Sequence, residues 1–261
     1  MIEILPDTAA LARAVAERVA ARAADAIAKR SRFTLALAGG STPAAAYRLL
    51  AGAEFAGRID WSRVQVFWGD ERCVEPDAPQ SNYRMAREAL LDHVPIPAAS
   101  IHRIRGELDP REAAEEYERL LKAILGIRAG ADVPAYGLDL VLLGMGGDGH
   151  TASLFPGNGA VRAGRRWVVA EYIETVGMWR VTLTPMVLNA TNEVVFVVAG
   201  AAKAATLRAV LEGPFTPDRL PAQAIRPDPG RVTWLVDAAA ASALSHPVAG
   251  PGHPAPGEQG Q

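Results

Sequence analysis

The sequence predicts an α/β fold in which a mostly parallel sheet carries helices on both faces, and three observations lead there. Short apolar runs alternate along the chain with longer stretches of helical periodicity. The run Leu138 to Leu143 is rich in Leu and Val, as a central strand buried on both faces requires. Three glycine-bearing polar loops stand directly after strand-like runs, where open parallel sheets bind ligands.

Asp7 and Thr8 can cap a first helix, whose apolar positions Leu11, Val15, Val19 and Ile27 recur near helical spacing. Arg13, Glu17, Arg18, Arg22 and Lys29 occupy its solvent side. The first strand is expected at Phe33 to Ala38, followed by a glycine turn and a helix with Pro43 in its first turn. Val64 to Trp68 reads as a strand, and Ser81 or Asn82 can cap a helix running to about Leu91. Arg111 to Arg128 is a long amphipathic helix with Leu120, Leu121, Ile124 and Leu125 facing inward. Further strands are expected at Arg166–Glu171, Met178–Leu183, Val194–Val198 and Val232–Val236, with a helix at Ala201–Leu211 between the last two. There is no internal repeat. The expected organisation is one α/β domain over residues 1–245 and a Pro/Gly-rich tail over 246–261, disordered because it has little to bury.

Composition narrows the function classes. The formal net charge of −2 comes from interspersed rather than blocked charges, which is not the footprint of a nucleic-acid binder. No stretch approaches the apolar length of a membrane span, and the start of the chain is not a signal peptide, so the expected compartment is the cytoplasm. The single cysteine, Cys73, permits neither an internal disulfide nor a cysteine-cluster zinc site.

The first special loop is Gly39-Gly40-Ser41-Thr42-Pro43. Glycines let backbone N–H groups approach an anion, and the helix that follows points its positive end at the same place. Ser41 and Thr42 add hydroxyls, a combination suited to a phosphate monoester; a plain turn with a Ser/Thr cap is the alternative. The loop has neither the spacing nor the Lys of a nucleotide-binding P-loop. The second loop is Gly69-Asp70-Glu71-Arg72. Arg72 can clamp a phosphate with two hydrogen bonds, and Asp70 can hold sugar hydroxyls or act as a base. The alternative here is a surface ion pair between Glu71 and Arg72.

The third loop, Gly144 to His150, brings Asp148 and His150 to one place. Imidazole suits proton transfer near neutral pH, and a nearby carboxylate can orient it. No further His or carboxylate stands at a metal-ligand spacing, so no metal is expected. Lys203, just after Ala199-Gly200, can reach a phosphate or lie in solvent. Arg180 sits inside a strand pattern and needs a partner there, either structural or bound. His93 suits a helix end, His102 falls in a strand-like segment, and His246 and His253 belong in or beside the tail. Arg72 can lower the pKa of Cys73, yet no base adjoins that thiol and it is not expected to act as a nucleophile.

Together these segments resemble the 6-phosphogluconolactonase family. The resemblance runs from about Leu35 to Val236 and rests on LALAGGSTP at 35–43, FWGDERCV at 67–74, SNYRMAREALL at 81–91 and IHRIRGE at 101–107. LDLVLLGMGGDGHTASLFPG at 138–157, RVTLTPMVLNA at 180–190 and PAQAI at 221–225 complete it. The resemblance implies a modified Rossmann-like fold without a nucleotide, and hydrolysis of 6-phospho-D-glucono-1,5-lactone without a cofactor. Its implied site has His150 as acid and base, Asp148 orienting it, and Arg180 or loop N–H groups at the oxyanion. Gly40, Ser41, Thr42, Arg72 and Lys203 then hold the phosphate, and Asp70 the sugar hydroxyls. The partner is a small sugar-phosphate lactone, with no nucleic acid or membrane, and the protein is a monomer or small homo-oligomer. Two rivals remain. Glucosamine-6-phosphate deaminases share the superfamily but carry a Glu after the His loop, where Thr151–Gly157 has no carboxylate. Sugar-phosphate-sensing regulators reuse the fold with an added DNA-binding module, for which one helix before residue 33 leaves no room.

Overall fold

The computed structural model describes residues 1–127, 134–135 and 137–245. The helix end expected at Arg128 and the tail with His246 and His253 lie outside the described residues.

Among the described residues, nine strands form two sheets. The chain opens with β1 (Ile2–Leu5), then α1 (Thr8–Arg30), β2 (Phe33–Leu37), α2 (Ser41–Ala51), α3 (Ala53–Ala56), β3 (Val64–Trp68) and β4 (Asp70–Arg72). There follow α4 (Asn82–Ala89), α5 (Pro110–Leu125), β5 (Leu140–Leu143), β6 (Val168–Ile173) and β7 (Met178–Leu183). The chain continues with α6 (Pro185–Leu188), β8 (Glu193–Val198), α7 (Ala204–Glu212), β9 (Arg231–Asp237) and α8 (Ala238–Ala241). The larger sheet is parallel, in the order β1-β9-β8-β5-β2-β3. The smaller is antiparallel, in the order β4-β7-β6.

Local chemistry accounts for the elements. Asp7 caps α1, its carboxylate accepting from Ala10 N–H at 2.8 Å, and the helix buries Leu11, Val15, Val19 and a row of alanines. Ser81 caps α4 and Asp109 caps α5, while Gly126 (φ 68°) ends α5. Successive residues of a strand face opposite sides of the sheet, and every residue of β2, β5 and β8 is buried. Both faces of the large sheet are therefore covered, and each fully buried Leu or Val contributes about 1.5–3 kcal/mol.

The structure corrects four expectations. A strand precedes the first helix: β1 pairs in parallel with β9 at the sheet edge, and four residues are too short a run to stand out in the sequence. Asp70–Arg72 is not a loop but β4, pairing with β7. The strands expected around 166–171 and 178–183 leave the parallel sheet and form the antiparallel one, β6 starting two residues later than predicted. His102 lies beyond an isolated bridge between Val66 and Ile101, not in a strand.

Two buried tyrosines finish the strand ends that lead to the site. Tyr47 of α2 accepts from Ala38 N–H and donates to Ala38 C=O, both at 2.9 Å. Tyr117 of α5 does the same for Trp68, at 2.9 and 3.1 Å. Backbone groups where β2 and β3 part are thereby satisfied without water.

Candidate active site

β2 and β5 lie side by side, yet the chain runs from β2 outward to β3 and from β5 the opposite way to β8. Loops that leave adjacent strands in opposite directions part and leave a crevice, the binding position of open α/β sheets. A cavity of about 320 Å³ opens there. Gly39 and Gly40 after β2, Asp70 and Arg72 of β4, Gly144 to Gly146 and His150 after β5, Arg180 of β7 and Lys203 all line it.

His150 is held at several points. Its Nδ1 lies 2.6 Å from Asp148 Oδ1, and its backbone N–H donates to the same oxygen at 3.1 Å. Partial burial pushes the Asp148 carboxyl up, but the backbone N–H, the charge and the ring of His150 outweigh it and hold the group below the usual carboxylate range. An ionised carboxylate only accepts, so Nδ1 carries the hydrogen and Nε2 is the nitrogen left to exchange a proton. The ring stacks on Phe155, centroids 4.1 Å apart. A Cβ on Gly146 would stand 2.1 Å from His150 Nδ1 and 2.4 Å from Asp148 Oδ1, so the pair needs glycine beneath it. Gly149 (φ 84°) turns the loop, its C=O accepting from Ala222 N–H at 3.0 Å, and Thr206 of α7 donates to Gly147 C=O at 2.6 Å. After His150, Ala152 takes a left-handed φ of 47°, a strain on the order of 1–2 kcal/mol.

Three cations face the cavity. Arg72 and Arg180 are register partners across β4 and β7, and the Nε of each is buried with no hydrogen-bond partner. Arg72 Nη1 donates to Gln80 C=O. Burial, then the Arg72 charge opposite, push Arg180 below the ordinary arginine value, an unfavourable arrangement that an arriving anion relieves. Lys203 sits in a single 3-10 turn, Ala201–Lys203, just before α7 rather than inside it, with Nζ 3.8 Å from where a Gly147 Cβ would stand. The turn is anchored by Asp237, whose carboxylate accepts from Gly200 N–H at 3.0 Å. Among the described residues, no three His, Cys, Asp or Glu side chains gather as a metal-holding group.

The sequence model describing glucosamine-6-phosphate isomerases/6-phosphogluconolactonase matches residues 6–234. The chain belongs to this family. It is 41% identical over 245 residues to the 6-phosphogluconolactonase of a Nostoc species, covering 94% of this chain and 98% of the relative. The corresponding protein of a Synechocystis species is 42% identical over 220 residues, covering 84% of this chain and 88% of the relative. The solved structure of 6-phosphogluconolactonase from Trypanosoma brucei superposes with a TM-score of 0.84 at 30% identity, covering 94% of this chain and 98% of that one.

Within that family fold, seven of the nine residues singled out in the sequence meet in one cavity: Gly40, Asp70, Arg72, Asp148, His150, Arg180 and Lys203, Asp148 through its contact with His150. Ser41 and Thr42 do not. The helix begins at Ser41 with Gly40 (φ 104°) as its cap, which turns both side chains to a separate hollow with Thr8, Ala9 and Ala12 of α1. The expected surface pair Glu71–Arg72 is absent as well. Glu71 is buried and accepts from the backbone N–H groups of Arg72, Asn82 and Tyr83 at 2.7–2.8 Å, so it anchors the start of α4. Its burial pushes its carboxyl above the usual range against those bonds. Cys73 is likewise pushed up, to about 11, first by burial and then by Glu71, so Arg72 does not activate it. His93 Nε2 lies 2.9 Å from Glu88 C=O near the end of α4.

Sequence reasoning treated Asn82 only as a cap and passed over Ser153 and Phe155. Asn82 is buried, lines the cavity and abuts Gly39, whose Cβ would fall 1.9 Å from Asn82 Oδ1. Its signal was present, a polar residue next to a better cap, but the contact partner lies 43 residues earlier in the chain.

Proposed function

We propose that the protein hydrolyses 6-phospho-D-glucono-1,5-lactone to 6-phosphogluconate. The observation that carries this reading is one cavity holding an imidazole oriented by a carboxylate together with three cations, the Nε of both arginines buried without a hydrogen-bond partner. The relatives named 6-phosphogluconolactonase support the substrate.

The chemistry divides among the residues present. His150 Nε2 takes a proton from water as its oxygen attacks the lactone carbonyl carbon. Charge passes to the carbonyl oxygen, where Arg180 or the N–H groups of the Gly144 loop steady it. The bond from that carbon to the ring oxygen then breaks, and His150 returns the proton to the departing oxygen. Asp148 holds the ring tautomer throughout. Arg72, Lys203 and the backbone at Gly40, just before the helix start, hold the phosphate. Asp70 receives the sugar hydroxyls. These steps call on no cofactor, metal, nucleic acid or membrane, and suit an enzyme of the cytoplasm acting on a diffusible small molecule.

Freshly made 6-phosphogluconolactone, assayed with its spontaneous hydrolysis subtracted, tests the reading, with glucosamine 6-phosphate in parallel. Turnover of the lactone alone is expected. Deamination of glucosamine 6-phosphate without lactone turnover would make the chain a deaminase instead.

A further inference from the structure

Ser153 stands three residues after His150 and is fully buried. Its Oγ donates to Asp70 Oδ2 at 2.7 Å across 83 residues of chain. Its N–H donates to Thr182 Oγ1 at 3.2 Å, and Thr182, also fully buried, is the register partner of Asp70 in the small sheet. The other Asp70 oxygen, Oδ1, has a long contact of 3.4 Å with Asn82 Nδ2. Asp70 is itself buried and lines the cavity. The segment between is a tight turn, with Thr151 bridged to Leu154, Thr151 Oγ1 donating to Gly144 C=O at 2.8 Å, and Ala152 in the left-handed region.

A carboxylate buried against a cavity needs a donor on one oxygen if the other is to meet a ligand in a fixed direction. We infer that Ser153 is a positioning residue: its hydroxyl fixes the Asp70 carboxylate for the substrate and ties it to the turn that carries His150. The inference rests on the role given to Asp70 above. It explains why a hydroxyl occupies a fully buried position directly after the histidine loop, and why the turn keeps a left-handed alanine. Through this bond the proton carrier of the large sheet and the sugar-facing carboxylate of the small one become a single unit. Other charged groups around Asp70 are Glu71 on its own strand, Arg72 and Arg180 beside it, and His150 and Lys203 across the cavity. Ser153 supplies the short neutral donor among them.

The test is a double-mutant cycle, read as kcat/KM on 6-phosphogluconolactone, with Ser153→Ala, Asp70→Asn and both together. Each single variant is expected to lose activity, and the double variant to be no worse than Asp70→Asn, because the hydroxyl then has no carboxylate to hold. In Ser153→Ala the loss falls chiefly on KM, since a loosened Asp70 weakens the hold on the sugar hydroxyls while the proton transfer at His150 is retained. A loss confined to kcat, or losses that multiply in the double variant, overturns the inference. If Ser153→Ala does not fold, Ser153→Cys, similar in size and a weaker donor, carries the same cycle with a smaller loss. Full activity in Asp70→Asn removes Asp70 from the proposed function and the inference with it. Loss in Asp70→Asn beside unchanged behaviour of Ser153→Ala overturns the inference alone.

Discussion

His150 reaches the cavity from a loop, Gly144 to His150, whose shape depends on glycines at 146 and 149 and on backbone contacts from Thr206 and Ala222. Arg72 and Arg180 reach the same cavity from paired strands, β4 and β7, where backbone hydrogen bonds set the spacing and the side chains alone vary. The two regions thus depend on different things. The loop can be disabled by adding a single methyl group to its backbone, with His150 itself left in place. The strand pair acts through the side chains it presents, Arg72 and Arg180. A loop permits the close approach a proton carrier needs, whereas strands give fixed charges a rigid base.

Substitutions can break or sharpen that contrast. His150→Asn removes the proton carrier while keeping a similar size, so kcat on the lactone should fall by about 10²–10⁴-fold, with KM little changed and the melting temperature near wild type. Retention of more than about a third of the activity would make His150 structural and leave Asp70 as the candidate base. Gly146→Ala should cost about 10²-fold, the effect of displacing a catalytic group by roughly 1 Å, because the new Cβ collides with the His150–Asp148 pair. Gly69→Ala, directly before β4, should be mild, because its Cβ would meet Leu143 Cδ2 at 3.6 Å, an ordinary contact; equal sensitivity would erase the distinction.

Asp148→Asn should lose less than His150→Asn, since it removes an orienting group and not the proton carrier. The folded Asp148 carboxyl lies below its ordinary value, so its contribution to stability is present above about pH 4 and is lost as pH falls through the folded value. Acid titration of melting temperature should show that dependence in the wild type and a weaker one in Asp148→Asn. Arg72→Ala or Lys203→Ala should lower kcat/KM about tenfold or more on the phosphorylated lactone, the cost of one charge-assisted contact. Unphosphorylated gluconolactone should be affected much less, and equal losses on both substrates would move these cations away from the phosphate. The smallest effect should come from a chelator: incubation with EDTA is expected to leave turnover unchanged, and loss rescued by a divalent ion would replace the acid–base scheme.

Much of this site could be read along the chain. The glycine loops after β2 and β5 announce themselves because their signals are local: a strand-like run, then glycines, then polar groups within a few residues. For the same reason Asp148 and His150, two residues apart, were legible as a pair. The small sheet was not. Its pairing joins Asp70–Arg72 to Thr182–Arg180 over more than a hundred residues, and a three-residue strand has no periodicity to detect. Glu71 shows the consequence: next to Arg72 it reads as half of a surface ion pair, yet it folds inward to hold the start of α4. Ser41 and Thr42 failed differently. Their loop was read correctly as a helix entrance, but the direction of the first turn, set by Gly40, sends their side chains away from the cavity.

The sequence by itself determined the longer strands and helices in their order, the glycine loops at strand ends and the pairing of Asp148 with His150, because each depends on residues that are neighbours in the chain. Tertiary structure decided that Arg72 would face Arg180, that Asn82 would meet Gly39, and that Ser153 would bind Asp70. Those contacts bring together segments separated by tens of residues, and which distant groups meet is settled by how two sheets pack, a property no local stretch encodes.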